Sequence, residues 1–415
     1  LNGGHVDSDP MSEPTTFSRP LRLTNAIQPY AWGSRTLLAD FLGQPNRDGG
    51  PQAELWIGSH PMLPSQVATP GGTAWLDEWI RGAPDAVLGH AVAARFGAEL
   101  PFLLKVLAVG APLSIQCHPD RDQARAGFER DERLGLARDA PQRSYRDPNH
   151  KPELIVALGR YTALKGFRPA VQIVANLRVL EQPALAPALA PLVQHGDSGL
   201  KGFFSNLLSL ARDQQARVVS QAARVAAART TTDPAWEWVA RLSESYPEDV
   251  SVLSPLYLNL VVLDPGQGLF LPAGELHAYL EGLGLEIMAN SDNVLRGGLT
   301  AKHVDLPELV ALLKFRAEPP RILTPQSQPD GASVYATPVE EFELGLLRLE
   351  PAAPRSVGAQ HGVEILLALE GQARLTAPDA ALELGRGAAV LIPASAGGYG
   401  LDGEALLARA RVPQP

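Results

Sequence analysis

Gln116 and His118 stand two apart in the run Leu113–Ser114–Ile115–Gln116–Cys117–His118, which reads as a strand. Side chains two apart on a strand share a face, so Gln116 and His118 point one way and Cys117 the other. Lys151 and Glu153 repeat that spacing around Pro152, and His277 ends a third segment that runs from Gly266 through Pro272 and Gly274. Two imidazoles, a carboxylate and an amide oxygen form a mixed nitrogen and oxygen donor set of the kind that suits Zn²⁺ or another borderline divalent ion. Further on, Glu286, Asn290, Asp292, Asn293 and Arg296 crowd one short stretch, in which Glu286, Met288 and Asn290 would share a strand face. A carboxylate and a guanidinium beside a metal suit a substrate that carries both hydroxyls and a phosphate. Taken singly, each residue has a plainer role. A histidine beside a turn is usually just hydrogen-bonded, Glu153 can pair with Lys151 on a surface, and Lys105 can extend from a strand end with its stem buried. Trp32 and Trp56 read first as core. It is the joint occurrence of these groups that points to a site.

The elements that must position these groups are legible as short strands broken by Gly and Pro. Phe102–Leu107, Leu113–His118 and Leu154–Leu158 read as strands, with helices over Thr73–Arg81 and Asp120–Glu132. From Pro169 to Pro247 apolar residues recur at three and four positions, as in Phe204, Leu207, Leu208 and Ala211, then Val218, Val219, Ala222 and Val225. That is an amphipathic helix pattern, and the block reads as a helical insertion. Strands resume over Leu256–Leu263 and Leu269–Leu271, across an Asp264–Pro265–Gly266 turn, and again beyond Arg321.

The spacing G-x5-P-x-G-x2-H from Gly266 to His277 resembles the second signature of the cupin jelly roll, in which a glycine turn and a short strand deliver the histidine to a barrel interior. Gly387 and Pro393 repeat part of it, with Gly398 where the histidine would stand. Four residues after His277 the chain has Glu281 rather than the Asn of that signature. The expected fold is mainly β with a helical insertion: two cupin (jelly-roll) β-barrel domains plus an α-helical domain. Residues 1–19 read as a flexible N-terminus, with Met11 as the natural start. Residues 20–168 and 251–320 read as a discontinuous catalytic domain, 169–250 as the helical domain, and 321–415 as a C-terminal cupin-like domain without metal.

Composition narrows the function. A chain of 415 residues with 45% hydrophobic and 20% charged residues is a folded, multidomain protein. A net charge of -9 excludes general attraction to nucleic acid or to an anionic membrane, so an anionic substrate needs local Lys and Arg. One cysteine, Cys117, precludes an intrachain disulfide and suits a reducing, cytoplasmic location. No apolar run is long enough to span a bilayer, the start lacks the character of a signal peptide, and Gly33 and Gly43 carry no nucleotide-binding spacing.

Six segments make the resemblance specific. They are PYAWGS (Pro29–Ser34), AELWIGSHP (Ala53–Pro61), PLSIQCHPD (Pro112–Asp120), HKPEL (His150–Leu154), LPAGELHAYLEG (Leu271–Gly282) and EIMANSDNVLRGGLT (Glu286–Thr300). In order, they resemble type I mannose-6-phosphate isomerases from about Leu21 to Phe315, while the C-terminal part matches in type more than in residues. The resemblance implies one Zn²⁺ on Gln116, His118, Glu153 and His277. It implies a sugar-phosphate substrate bound by Lys105, Lys151, Trp32, Ser114 and Arg296. Arg296, Asp292, Glu286 and Lys151 would serve an aldose–ketose isomerisation by proton transfer between C1 and C2 through an enediol. The proton carrier stays open among Asp292, Glu286 and a metal-bound water. A monomer is expected. Two other readings remain: another metal-dependent cupin enzyme, disfavoured by the Gln-x-His pair, and a non-catalytic sugar-phosphate sensor.

Overall fold

The computed structural model describes residues 17–69, 72–229, 233–351, 353–359 and 362–413. Most of the expected flexible N-terminus, including Met11, lies outside the described residues. Two large antiparallel sheets dominate, and helices accompany both rather than being confined to the insertion. Among the described residues no helix is long and apolar enough to cross a membrane.

The chain divides into two compact units. One comprises residues 26–56 and 101–345 and holds every site residue inferred from the sequence. Its sheet centres on the strand His277–Ala289, which pairs with Phe102–Val109 on one side and with Glu153–Ala157 on the other. Phe102–Val109 is buried along its whole length, which explains its nearly unbroken apolar run; Lys105 is the exception. Ile115–Cys117 lies between the start of the long strand and Leu295–Gly298, with Gln116 opposite both His277 and Arg296. Shortly after this strand, Asp120 caps the helix Arg121–Arg133 by a reciprocal box with Gln123, at 2.9 and 3.0 Å, leaving His118 in the short link between strand and helix.

The helical block is present, with helices including Ala170–Arg178, Leu200–Leu208, Arg212–Ala227 and Pro234–Ser245. Its apolar faces share one core cluster with Ile115, Cys117, Leu276, Ala278 and Leu295. These alternate with Gln116, His118, His277 and Arg296 along the strands, so the block buries the reverse face of the site strands. Each such Leu or Phe contributes roughly 1.5–3 kcal/mol by leaving water.

The other unit comprises residues up to 25, 57–100 and 346 onward. In it Leu21–Thr24 pairs with Ala389–Ile392 on one edge and with Gln66–Thr69 on the other. The early segments 21–24 and 57–100 thus group with the C-terminal strands, whereas the sequence placed them in the catalytic domain. The helix expected over Thr73–Arg81 is a strand to Trp75, followed by a helix from Leu76 to Gly82.

Candidate metal centre and active site

His118, Glu153 and His277 converge in the interior, where their donor atoms all lie within 4.8 Å of one another. Nε2 of His118 is 3.2 Å from Oε1 of Glu153, and Nε2 of His277 is 3.6 Å from Oε2. The two rings stand 4.9 Å apart. Each imidazole is oriented from behind: Nδ1 of His118 meets the carbonyl of Asn293 at 2.8 Å, and Nδ1 of His277 that of Glu275 at 3.1 Å. With Nδ1–H donating to a carbonyl, Nε2 is the free lone pair, the arrangement seen behind metal-bound histidines. Nε2 of His118 is buried without a hydrogen-bond partner, a cost that a bound cation would remove.

Electrostatics favour the same protonation states. Burial, then repulsion from His118, pulls His277 down to about 4, and burial lowers His118 as well, so both rings are neutral donors at pH 7. Burial alone would raise Glu153, but Lys151 and His118 reverse this and hold its carboxyl well below the usual range. Lys151 lies 3.0 Å from Oε1 of Glu153.

A second buried cluster adjoins the first. Lys105 is 3.2 Å from Glu286 and 3.7 Å from Glu54. Burial would lower Lys105, yet Glu54 and Glu286 outweigh it and raise its pKa, so this amine stays protonated. Burial and the charge of Glu153, partly offset by Lys105, push Glu286 up to about 7. The hydroxyl of Tyr279 donates toward both carboxylates, to Glu286 at 3.1 Å and to Glu153 at 3.3 Å, and so bridges the clusters.

Arg296 is half-buried beside Gln116. Burial lowers its pKa and so does the neighbouring Arg146; Lys302 is lowered by burial and by both arginines. Three cations this close together, two half-buried and Lys302 exposed, are a place where an anion would be welcome. The backbone of Asp292 is held by Asp147, at 2.7 Å. Ser114 Oγ lies 3.5 Å from the amide nitrogen of Gln116. Trp32 is half-buried, packing against the edge of the apolar cluster around Leu107 and Tyr161 and stacking on the exposed Tyr30.

The structure therefore gathers His118, Glu153, His277 and Lys151 at one centre, with Gln116 in register beside them and Lys105 with Glu286 next to it. Sequence reasoning missed Glu54, Tyr279, Arg146 and Lys302. Two of them had a signal: Glu54 is an acid at the head of the apolar run Glu54–Leu55–Trp56–Ile57, and Tyr279 stands two residues after His277 on the same strand. Arg146 and Lys302 lie outside the strands, where no spacing reveals convergence. His150 also gains a setting: its Nε2 lies 2.8 Å from Oε1 of Glu341, which Arg121 meets at 2.6 Å. Glu341 thereby ties the segment that follows His118 to the one that precedes Glu153.

Comparison with known proteins agrees with this arrangement. The profile described as "Phosphomannose isomerase type I, catalytic domain" matches residues 21–170. Mannose-6-phosphate isomerase of Escherichia coli (strain K12) is 40% identical over 393 residues, covering 94% of this chain and 98% of that protein. A crystal structure of mannose 6-phosphate isomerase in a zinc-bound holo form superposes with a TM-score of 0.89 at 38% identity, covering 95% of this chain and 100% of that one. The Salmonella typhimurium enzyme, solved with substrate (fructose 6-phosphate) and zinc, gives 0.88 at 39% identity, again covering 95% of this chain and 100% of that one.

Proposed function

This chain belongs to the mannose-6-phosphate isomerase family, and from that premise we propose that it interconverts mannose 6-phosphate and fructose 6-phosphate with one zinc ion. The observation that carries the reading is the buried His118–Glu153–His277 triad, with both imidazoles oriented through Nδ1 and one Nε2 lacking a partner. These three residues and Gln116 would hold the zinc. When bound, it supplies a positive charge that polarises the sugar oxygens and stabilises the enediolate.

In this reading the chain's own groups divide the remaining work. Arg296, Arg146 and Lys302 receive the phosphate, and their mutual repulsion falls when the dianion arrives. Lys151 and Asp292 orient the hydroxyls near the metal end, alongside Ser114. The C1–C2 proton transfer is assigned to Glu286, a buried carboxyl on the site side of its strand, 3.2 Å from Lys105 and 3.1 Å from the Tyr279 hydroxyl, whose pKa burial raises. Lys105, fixed in its charged form, keeps the ionised state of Glu286 accessible. Tyr279, its hydroxyl between the two carboxylates, links the clusters. Trp32 supports the wall of the pocket from the apolar cluster.

We read the two sheets as jelly rolls of the cupin type, the metal-bearing one interrupted by the helical block and the C-terminal one without metal. The repeated glycine turns support this. The buried single thiol of Cys117 suits action in the cytoplasm. The test is isomerase activity on mannose 6-phosphate before chelation, after chelation, and after zinc is restored. Activity that vanishes and returns is expected. A zinc-loaded protein inert toward mannose 6-phosphate and other aldose phosphates would refute the catalytic reading and favour a sensor.

A further inference from the structure

Between the metal centre and the cation cluster lie two loops, Arg146–Asn149 and Ser291–Asn293, and one side chain joins them. Asn293 is fully buried. Its amide oxygen accepts from the backbone N–H of Arg146 at 2.7 Å and of Asp147 at 3.3 Å. Its amide nitrogen donates to the carbonyls of Asp147 and Asn149, at 2.8 and 2.9 Å. Its own backbone carbonyl orients the His118 ring at 2.8 Å. Asp147 completes the knot. Oδ2 accepts from the Asp292 N–H at 2.7 Å, and Oδ1 from the Ser291 hydroxyl at 2.8 Å and the Asn149 N–H at 2.9 Å.

Few side chains can fill the place of Asn293. It must donate at one end and accept at the other, which an ionised Asp cannot do and an apolar residue cannot begin to do. A buried amide is tolerated only when its groups are bonded. Here every one of those partners on the 146–149 loop is next to a functional group: Arg146 itself, and the residues leading to Lys151. The knot thus stabilises the relative placement of loops rather than the interior of a sheet.

We propose that Asn293, together with Asp147, is a positioning residue that holds the metal-binding imidazole of His118 in register with Arg146 and Asp292, and so sets the distance between the metal end and the anion end of the pocket. This rests on the sugar-phosphate reading of the site. Bridging both ends of one substrate demands a fixed span, and a displacement of about 1 Å in such a span can cost on the order of 100-fold in rate.

The test compares the full-length wild type with Asn293→Asp, Asn293→Ala and Asp147→Asn, well below their unfolding temperatures. Four quantities are read: zinc affinity by competition with a chelator, KM and kcat on mannose 6-phosphate, and the affinity for inorganic phosphate by calorimetry. Asn293→Asp keeps the acceptor and removes the donors. It is expected to weaken zinc binding roughly 10- to 100-fold, as loss of a group supporting a metal-bound histidine does. It should also weaken phosphate and raise KM by about tenfold, the cost of one displaced charged hydrogen bond. Asp147→Asn should shift the same quantities in the same direction by less. Variants that bind zinc and phosphate as the wild type does, with unchanged KM and only a lower melting temperature, would overturn the proposal. Should the Asn293 variants fail to fold, Asp147→Asn decides alone. A wild type without isomerase activity would instead defeat the functional reading, and the zinc and phosphate affinities would still test the knot.

Discussion

Two turns in this molecule obey one grammar. Gly266 (φ +82°) donates its N–H to Ala157 at 2.8 Å, and Gln267 donates to Asp264 at 3.0 Å. Gly387 (φ +83°) donates to Ala368 at 2.8 Å, and Ala388 to Gly385 at 2.9 Å. Each turn feeds a four-residue strand whose last residue pairs with a buried glutamate: Leu271 opposite Glu153, and Ile392 opposite Glu364. Each then leads to a 13-residue strand, His277–Ala289 or Tyr399–Arg411. There the likeness stops. Glu153 faces two imidazoles and Lys151. Glu364 receives the Tyr399 hydroxyl at 2.7 Å and lies 3.9 Å from the Arg411 guanidinium. A carboxylate taken out of water requires positive charge and hydrogen bonds around it. The chain places a cation beside each, Arg411 at Glu364 and Lys151 at Glu153, but only Glu153 also has two imidazoles whose Nε2 atoms face it, at 3.2 and 3.6 Å. The same scaffold position faces a tyrosine and an arginine in one unit and a set of possible metal ligands in the other.

The sharpest break in this comparison comes from His277→Ala. It removes one donor from the first turn, and zinc should be lost with kcat/KM reduced by at least about 10³-fold. Metal analysis of the purified variant checks it, and stoichiometric zinc would overturn the ligand assignment. Arg296→Ala comes next. Zinc should remain while kcat/KM falls by about 100-fold and phosphate binding weakens, as when a charged contact to the phosphate is deleted; unchanged kcat/KM would remove Arg296 from the anion site. Glu364→Gln sharpens the contrast from the other side. Zinc content, kcat and KM should stay at wild-type values, while chemical denaturation should reveal a loss of about 1–3 kcal/mol. A change in zinc content would mean that the two glutamates are not so different after all.

The smallest effect concerns pH. Burial would raise Glu341, but its hydrogen bond and charge interaction with His150, and the Arg121 guanidinium, bring it down to about 2 from an ordinary 4.5. A depressed carboxyl stabilises the fold above its unfolded pKa and ceases to do so as pH falls through the folded one. The melting-temperature gap between wild type and Glu341→Gln should therefore be full at pH 7 and close between about pH 4.5 and about pH 2. A gap that widened in acid would contradict the pairing.

Much of the site was readable because strand spacing is a local property. Gln116 with His118, and Lys151 with Glu153, needed only a period of two. The relation of His277 to Glu286 was not readable. Nine positions apart on one strand, they should face opposite ways. A register shift between Tyr279 and Glu281 inserts an extra residue, so that Glu286 pairs with Lys105 on the site side. Arg146 and Lys302 were invisible for a different reason, since both lie outside the strands, on segments whose placement depends on long-range contacts such as that of the Arg146 N–H with Asn293. The helical block was visible from its periodicity, though its task of backing the site strands required the packing. The affiliation of residues 21–24 and 57–100 with the C-terminal unit rests on pairing between distant parts of the chain, which carries no local signal.

That distant pairing has a consequence for synthesis. Leu21 and Leu23 meet Leu391 and Ala389, which leave the ribosome hundreds of residues later. Until then the early strand lacks its partner on that side, and the Gln66–Thr69 strand beside it is held by only part of its sheet. Loop closure over such a span is slow, and an unpaired strand edge invites association with other chains. Emergence of the strand Ala389–Ile392 is thus the step that completes this pairing, and nascent chains truncated before Ala389 should depend on chaperones to stay soluble.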